Sequence, residues 1–224
     1  MSASKQELRA IFNELAKNYL VQDLITEQAR FMFLLESPHV QELKIGAPVS
    51  GSSGASMTKH LYGEQYERFP LGVLLKKNRD DNLNRPSLNK VALMNVCQIP
   101  MQAAAYHDPE VRARYGSFFQ VLEGVRSANN KLIYSNQTWN EVQEIIVESL
   151  RKKLIKLQEH PLVVVPCGRF AQKFFRLAAV QSPLWQVIEG VPHPSYNGWS
   201  KSEYAGAVHV LKAEFAKETA QISG

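Results

Sequence analysis

The stretch RFMFLLE, residues 30–36, is a short apolar run that ends in a carboxylate, Glu36. A run of this length and composition is typical of a β-strand buried on both faces of a parallel sheet. Three further runs share the pattern: KVALMNV (90–96), PLVVVPC (161–167) and WQVIEGV (185–191). The sequence therefore predicts four buried strands, and the first of them delivers Glu36 to its carboxyl end.

Helical patterns separate the four runs, and capping boxes predict where the helices begin. The three boxes are Ser4 with Glu7, Thr138 with Glu141, and Ser200 with Glu203. Strands that alternate with helices imply crossover connections, which produce a mainly parallel sheet covered by helices on both faces. The predicted fold class is therefore α/β, a three-layer α/β/α sandwich with a four-stranded, mostly parallel central sheet.

The composition predicts a single domain over residues 1–224. A chain of 224 residues with 45% hydrophobic content can bury one substantial core, and no Pro/Gly/Ser-rich linker divides it. Lysine and arginine number 26 against 21 acidic residues, which gives a net charge of +5. This balance suits a polyanionic partner, although many proteins without such a partner share it.

The cysteines and the termini predict a reduced, cytoplasmic setting. Cys97 and Cys167 lie far apart in apolar runs and form no CxxC pair, so neither a disulfide framework nor a zinc site is expected. The polar stretch MSASKQELRA lacks the apolar core of a signal peptide, and no apolar run approaches the length of a membrane span. We therefore expect a soluble intracellular protein without a metal site and without a membrane partner.

Polar residues at the ends of the predicted strands form the candidate site. Ligands of parallel α/β sheets bind beyond the carboxyl ends of the strands, where Glu36, Asn95 and His193 are expected to converge. Each has an ordinary alternative, since Glu36 could cap a turn, Asn95 could bond to core backbone, and His193 could be structural. Pro192 and Pro194 flank the histidine and stiffen the backbone that presents its imidazole.

Two further features fit a nucleotide ligand. The segment GAPVSGSSG, residues 46–54, combines glycines and hydroxyl groups that allow close approach to a base or a phosphate, although a flexible surface turn has the same composition. It matches neither the P-loop nor the dinucleotide-binding fingerprint. The amide of Asn95 offers an acceptor beside donors, which matches the N–H and C=O on a pyrimidine edge.

These motifs, in this order, resemble the uracil-DNA glycosylase superfamily. LLESPHVQELKIGAPVSGSSG (34–54) is similar to the first motif of the branch that reads Gly-Glu-Ala-Pro-Gly and continues into Gly-x-Pro-Phe-x-Gly-x-x-Gly. LMNVCQIP (93–100) resembles the strand with the base-reading Asn, VVVPCGRFAQKFF (163–175) a strand followed by glycine and a helix, and HPSYNGWS (193–200) the second motif. The likeness covers most of the chain, from about Phe31 to Glu203.

The resemblance implies a DNA glycosylase-like hydrolase that excises uracil or another deaminated or damaged base by cleaving the N-glycosidic bond, as in base excision repair. Glu36 would orient water or stabilise an oxocarbenium-like sugar, His193 would donate a hydrogen bond to the departing base, and Asn95 would read the base edge. The DNA phosphates would be held by Gly51, Ser52, Gly54, Ser195 and Lys201. Free N–H groups are expected at Lys201, at the start of a helix. The implied partner is DNA, bound by a monomer with one base flipped into the pocket.

Three departures from that branch affect the expected substrate and cofactor. Val49 stands where the branch has the aromatic that stacks on the flipped base, which leaves a smaller apolar wall in the base-binding pocket. Leu35 stands where the branch has glycine before the acid. The four cluster-binding cysteines are missing, because Cys97 and Cys167 fall outside the expected pattern. Neither an iron–sulfur cluster nor another cofactor is therefore expected.

Two other functions stay open from the sequence. The first is a non-catalytic nucleic-acid or nucleotide binder on the same fold, for which Val49 in place of the aromatic is the chief argument. The second is a hydrolase in which Cys97 or Cys167 pairs with His193 as a nucleophile, although no third orienting group is evident for such a pair. The fold alone does not decide between them, because α/β sandwiches host many functions.

Overall fold

A four-stranded sheet forms the centre of the computed structural model, which describes residues 4–220. The strands are β1 (Phe31–Leu35), β2 (Val91–Asn95), β3 (Leu162–Pro166) and β4 (Trp185–Val187). Their order across the sheet is β2-β1-β3-β4, and each neighbouring pair is parallel. The predicted four-stranded sheet is confirmed, and its strands are all parallel because helical segments connect them as crossovers. The predicted burial is wrong for β4, which is a three-residue edge strand with Gln186 and Val187 exposed.

Helices connect and flank these strands. Between residues 4 and 220 they are α1 (Lys5–Tyr19), α2 (Val40–Ile45), α3 (Ser52–Tyr62), α4 (Leu71–Asp80), α5 (Pro86–Asn89), α6 (Pro109–Arg114), α7 (Gly116–Ser127), α8 (Gln137–Ile155), α9 (Gly168–Ala178) and α10 (Ala205–Ala220). Short 3₁₀ helices lie at Glu64–Tyr66, Ala103–Ala105, Ser195–Ser200 and Ser202–Tyr204. In this described part of the chain, no helix is both long and apolar enough to cross a membrane.

Helices bury the sheet on both faces, because alternate side chains of a strand point to opposite sides. In β1, Met32 and Leu34 join a core cluster with residues of α1, α7, α8 and α9. Phe33 and Leu35 join a second cluster with residues of α3, α4 and α10. This arrangement agrees with a three-layer α/β/α sandwich, and it explains why the strand sequences are almost continuously apolar.

The outer edge of β2 is covered by the chain segment that precedes β1. Leu24 and Leu93 exchange two backbone hydrogen bonds of 2.9 and 2.8 Å in an isolated antiparallel bridge. Beside it, the Asp23 carboxylate accepts a hydrogen bond of 3.0 Å from the backbone N–H of Asn95. The edge strand that carries Asn95 is therefore paired along its outer side as well.

The predicted capping box at Ser4 and Glu7 is confirmed. The Ser4 hydroxyl accepts a hydrogen bond of 3.3 Å from the Glu7 N–H, and the Glu7 carboxylate accepts one of 2.7 Å from the Ser4 N–H. These two bonds satisfy backbone donors that a helix N-terminus otherwise leaves free. The first helix therefore begins at Lys5, as the sequence predicts.

The predicted capping box at Thr138 and Glu141 is wrong. α8 is capped by Asn136, whose side chain accepts a hydrogen bond of 3.3 Å from the Trp139 N–H. Asparagine is at least as good an N-cap as threonine, and here it begins the helix at Gln137, two residues earlier than a Thr138 cap would. Thr138 and Glu141 are consequently interior residues of α8.

The third predicted helix start, a box at Ser200 and Glu203, is also wrong. A 3₁₀ turn, Ser202–Tyr204, takes the place of the first predicted helical turn, and α10 begins only at Ala205. Lys201 precedes this turn, and its carbonyl accepts a hydrogen bond of 3.1 Å from the Tyr204 N–H. Lys201 is therefore not at the N-terminus of an α-helix, and the free N–H groups expected there are not provided by α10.

Candidate active site

A cleft opens at the carboxyl edge of the sheet. It has a volume of about 440 Å³ and is lined by residues that follow β1, β3 and β4. Four of the residues predicted for the site lie in its wall, namely Glu36, His193, Ser195 and Lys201. Further polar side chains in the wall belong to Asn129, Arg169, Gln172, Tyr196 and Tyr204. The fold thus brings a carboxylate and an imidazole, far apart in sequence, into one concave site.

His193 enters the cleft with a defined tautomer. Its Nδ1 accepts a hydrogen bond of 3.2 Å from the backbone N–H of Ser195, and the Ser195 Oγ lies 2.8 Å from the same nitrogen. A backbone N–H can only donate, so in the neutral ring the proton is on Nε2. Burial lowers the pKa of His193 below its usual value, which favours this uncharged form. The Nε2–H group is therefore the donor that the ring can offer to a ligand.

The backbone around His193 is held by close packing. Gly168 has a φ of +85°, and a Cβ at that residue would lie 2.9 Å from the Cβ of His193. A Cβ at Gly198 would lie 2.2 Å from the backbone oxygen of His193. The Trp199 indole donates a hydrogen bond of 2.9 Å to the carbonyl of Pro192. Only glycine fits at the two contact positions, so the imidazole is presented by a rigid segment.

Glu36 reaches the cleft from the end of β1 and forms an ion pair with Arg126. The Arg126 Nε atom contacts the carboxylate oxygen Oε1, and 19% of the Glu36 side chain is exposed. The backbone carbonyl of Glu36 accepts a hydrogen bond of 3.1 Å from the Cys97 N–H, which ties the exits of β1 and β2 together. Arg126 lies in the last turn of α7, 90 positions from its partner, and no sequence motif points to it.

Asn95 ends β2 with an unpaired amide. Only 1% of the residue is exposed, and neither its Nδ2 nor its Oδ1 has a hydrogen-bond partner within residues 4–220. A buried polar group left unpaired costs about 1–3 kcal/mol, so a partner such as a ligand or an ordered water is expected at this amide. The side chain does not line the cleft of Glu36 and His193. Alternation along β2 places it on the same face as Leu93, which shares a core cluster with Val49.

A partly buried ion pair fixes the backbone of Asn95. The Lys153 Nζ donates a hydrogen bond of 2.6 Å to the Asn95 carbonyl and lies 3.0 Å from the Asp23 carboxylate, which binds the Asn95 N–H. Burial raises the pKa of Asp23, and the charge of Lys153 opposes this rise. The contacts of Asp23 and Lys153 with Asn95 span 72 and 58 positions, so no local sequence pattern indicates them. They hold the main chain of Asn95 and leave its amide free.

Val49 belongs to the core rather than to the wall of the cleft. Only 5% of the residue is exposed, and its φ of +45° is a strained value for a β-branched side chain. The Glu42 carboxylate holds this conformation, because Oε1 accepts a hydrogen bond of 2.6 Å from the Val49 N–H and Oε2 one of 2.7 Å from the His39 N–H. Burial raises the pKa of Glu42 to about 7. Sequence reasoning missed Glu42.

Gly51, Ser52 and Gly54, which were predicted to bind phosphate, also lie outside this cleft. Gly54 is buried, and a Cβ there would lie 1.7 Å from the Val49 carbonyl, so this glycine allows α3 to pack on the loop. Gly51 is the N-cap residue of α3 and has room for a Cβ, and Ser52 is exposed at the first position of the helix. The need for glycine at Gly54 is thus explained by packing, without a phosphate.

The rim of the cleft carries an exposed aromatic residue. Tyr196 and Asn197 have φ values of 52° and 53° inside the 3₁₀ segment Ser195–Ser200, a conformation that few non-glycine residues adopt. Tyr196 is 93% exposed although it lines the cleft. Strain and exposure of this kind are common where a segment contacts a ligand. Sequence reasoning did not single out Tyr196, although it lies inside the second motif.

The cysteines do not fit a nucleophile. Both are buried, and burial raises the pKa of the Cys97 thiol to about 11 and that of Cys167 still further. The thiolate, which is the nucleophilic form, is therefore scarce at neutral pH. Within residues 4–220, no group of three or more His, Cys, Asp and Glu side chains is placed to hold a metal ion.

Comparison with known proteins adds no identification. No family model matches the chain, and no curated protein matches it.

Proposed function

We propose that the protein is a DNA glycosylase-like hydrolase of the uracil-DNA glycosylase type, which excises uracil or another deaminated or damaged base. The observation that carries the proposal is the shared cleft of Glu36 and His193 at the carboxyl edge of a parallel sheet. Ligands of such sheets bind at this edge. A carboxylate beside a neutral imidazole donor suits a reaction in which positive charge develops on a sugar and negative charge on its leaving group.

The reaction would begin with a nucleotide flipped out of the base stack into the cleft. As the bond between base and sugar breaks, its electron pair moves to the base, and Glu36 stabilises the cationic sugar or orients the water that attacks it. The water loses one proton when it bonds to the sugar, and the anionic base takes up one proton, so the products are neutral. The Arg126 contact engages Oε1 of Glu36 and leaves Oε2 for this purpose. His193 donates through Nε2–H to the base oxygen on which negative charge grows, an effect of about 3–4 kcal/mol for comparable donors.

The unpaired amide of Asn95 supports a base as the ligand. Its acceptor and donors are complementary to a C=O beside an N–H on a pyrimidine edge, and a bound base would satisfy both buried atoms. Because Asn95 is only 1% exposed, side chains that cover it must move when the base enters. The cost of leaving the amide unpaired in the free protein would then favour base binding.

The surroundings of the cleft support a nucleic-acid substrate. Arg169 and Lys201 line the cleft and can contact phosphate oxygens. The exposed ring of Tyr196 is available to stack on a neighbouring base or to enter the gap that a flipped nucleotide leaves. The small net charge of +5 predicts modest, salt-sensitive affinity rather than tight non-specific binding.

The test is incubation with labelled oligonucleotides that carry uracil, hypoxanthine, xanthine or a mismatch, followed by alkali to break abasic sites. Strand breaks that require both the modified base and the protein support the proposal. The competing function is a non-catalytic nucleic-acid binder, which is favoured by the burial of Val49 at the position of the stacking aromatic. Binding of every oligonucleotide without any strand break would establish that alternative.

A further inference from the structure

Arg126 contributes a fixed positive charge to the cleft. Its Nε contacts Glu36 Oε1, and the side chains of the pair are 35% and 19% exposed. Both groups are thus partly withdrawn from water. A partly buried ion pair is screened less than one on the open surface. Arg126 extends from α7, whereas Glu36 follows β1, so the pair also connects a helix of one layer to the exit of the sheet.

Glu36 and His193 are difficult to combine in one cleft. A carboxylate close to an imidazole favours the charged imidazolium. An imidazolium would carry a proton on Nδ1. That proton would face the backbone N–H of Ser195, which donates a hydrogen bond to Nδ1 in the neutral ring. The backbone N–H of Ser195 therefore favours a neutral ring in spite of the nearby negative charge.

We propose that Arg126 is a positioning residue of this cleft, which fixes the Glu36 carboxylate and offsets its charge at His193. The meaning of this role for catalysis rests on the proposed base excision, whereas the electrostatic effect does not. The pKa of His193 is lowered most by burial, raised by Glu36 and lowered again by Arg126, in agreement with the contact between the two charged groups. The arrangement lets one cleft hold an anion for the sugar and a neutral donor for the base.

The other titratable groups around His193 come from the elements packed against it. Glu36 follows β1, Arg126 ends α7, Cys167 and Arg169 flank the start of α9, and Tyr196, Lys201 and Tyr204 belong to the segment after His193. The thiol of Cys167 stays protonated because burial raises its pKa. Glu36 is the acidic side chain among these groups, so its charge is the one that Arg126 has to offset.

The experiment is an NMR titration of His193 in the free protein, which does not depend on any catalytic activity. We expect Arg126→Gln to raise the titration midpoint of His193 by about 0.5 pH unit or more, as one charge can in a partly solvated cleft. Glu36→Gln should lower the midpoint, and the double variant should return close to wild type. Arg126→Lys keeps the charge and should stay near wild type. Arg169→Gln removes another cleft arginine that does not contact Glu36 and is the matched control.

A midpoint in Arg126→Gln that is unchanged or lower, in protein whose spectrum shows an intact fold, would overturn the inference. The pH profile of excision gives the second measurement. In Arg126→Gln the acidic limb should move to higher pH and kcat should fall, whereas Arg126→Lys should restore the limb. If wild-type protein excises no base, the proposed function fails, while the titration still decides the role of Arg126.

Discussion

The backbone N–H of Ser195 donates a hydrogen bond of 3.2 Å to Nδ1 of His193, and this contact decides where the imidazole carries its proton. Protonation of Nδ1 would place two donors face to face, so the neutral ring with Nε2–H is the form that fits. A neutral donor stabilises an oxygen that gains negative charge without placing a second cation beside Arg126. The histidine is thus prepared to donate rather than to act as a base.

The first prediction concerns pH. Excision should fall as the pH is lowered through the pKa of His193, because the imidazolium breaks the contact with Ser195. Burial holds this pKa below the usual 6.5, so the ring is neutral at pH 7 and the working form is lost only under acidic conditions. The measurement is kcat/KM between about pH 5 and pH 8. A rate that rises on acidification would show that the imidazolium is the active form.

The second prediction concerns Glu36 and His193, the two side chains that we propose to be catalytic. His193→Ala and Glu36→Gln should each lower the single-turnover excision rate by on the order of 10² or more and leave DNA affinity nearly unchanged, because their interactions strengthen in the transition state. Rates come from alkali-cleaved oligonucleotides and affinities from fluorescence anisotropy. His209→Ala and Glu159→Gln, which change exposed residues outside the cleft, are the controls. Full activity in both cleft variants would place the active site elsewhere.

The fold could be predicted because its signals are local. Strand length, continuous apolar character and alternating helical segments are properties of short stretches, and all four strands occur within the predicted runs. Two helix starts were predicted wrongly because another local structure was preferred at each. Asn136 caps α8 in place of Thr138, and a 3₁₀ turn precedes α10. Glu36 and His193 could be placed in one cleft because the ends of parallel strands share an edge.

The rest of the site depends on contacts between distant residues. Arg126, Asp23 and Lys153 resemble ordinary surface residues in the sequence, and only the packed structure brings them to Glu36 and Asn95. The wall expected at Val49 shows the converse difficulty. The motif identifies Val49 as the residue at that position, but it does not predict that the side chain is buried in a core cluster instead of lining the cleft.

The third prediction concerns phosphate contacts. If Lys201 and Arg169 each bind a phosphate, Lys201→Gln and Arg169→Gln should each reduce the slope of log affinity against log salt concentration by about 1. Lys217→Gln removes an exposed charge of α10 that pairs with Glu214, and it should leave the slope unchanged. Slopes are measured by anisotropy over a range of salt concentrations. Equal slopes in all proteins would mean that DNA does not contact this rim.

The fourth prediction concerns the carboxylate of Glu42, which accepts hydrogen bonds from the backbone N–H groups of His39 and Val49. The folded pKa of Glu42, about 7, lies above the ordinary value of 4.5, so between these values the folded state binds more protons than the unfolded state. The stability contributed by Glu42 should therefore fall as the pH rises from about 4.5 to 7. Glu42→Gln should remove this part of the pH dependence in urea unfolding, whereas Glu159→Gln should retain it. Identical slopes in wild type and Glu42→Gln would contradict the prediction.

The last prediction is that one substitution at Asn95 stabilises the fold and abolishes base excision. Asn95→Leu replaces an amide that has no partner with an apolar group of similar size, so the free energy of unfolding should rise by about 1–3 kcal/mol while base excision is lost. Urea unfolding measures the first effect and the oligonucleotide assay the second.

The matched control is Asn78→Leu, because Asn78 is also buried but donates a hydrogen bond of 2.6 Å to Asn89 and accepts one of 2.9 Å from the Arg85 N–H. That substitution leaves two partners unpaired and should destabilise the protein by a similar amount. If Asn95→Leu were instead as destabilising as Asn78→Leu, the amide would have a structural partner, and it could not be the group reserved for a base.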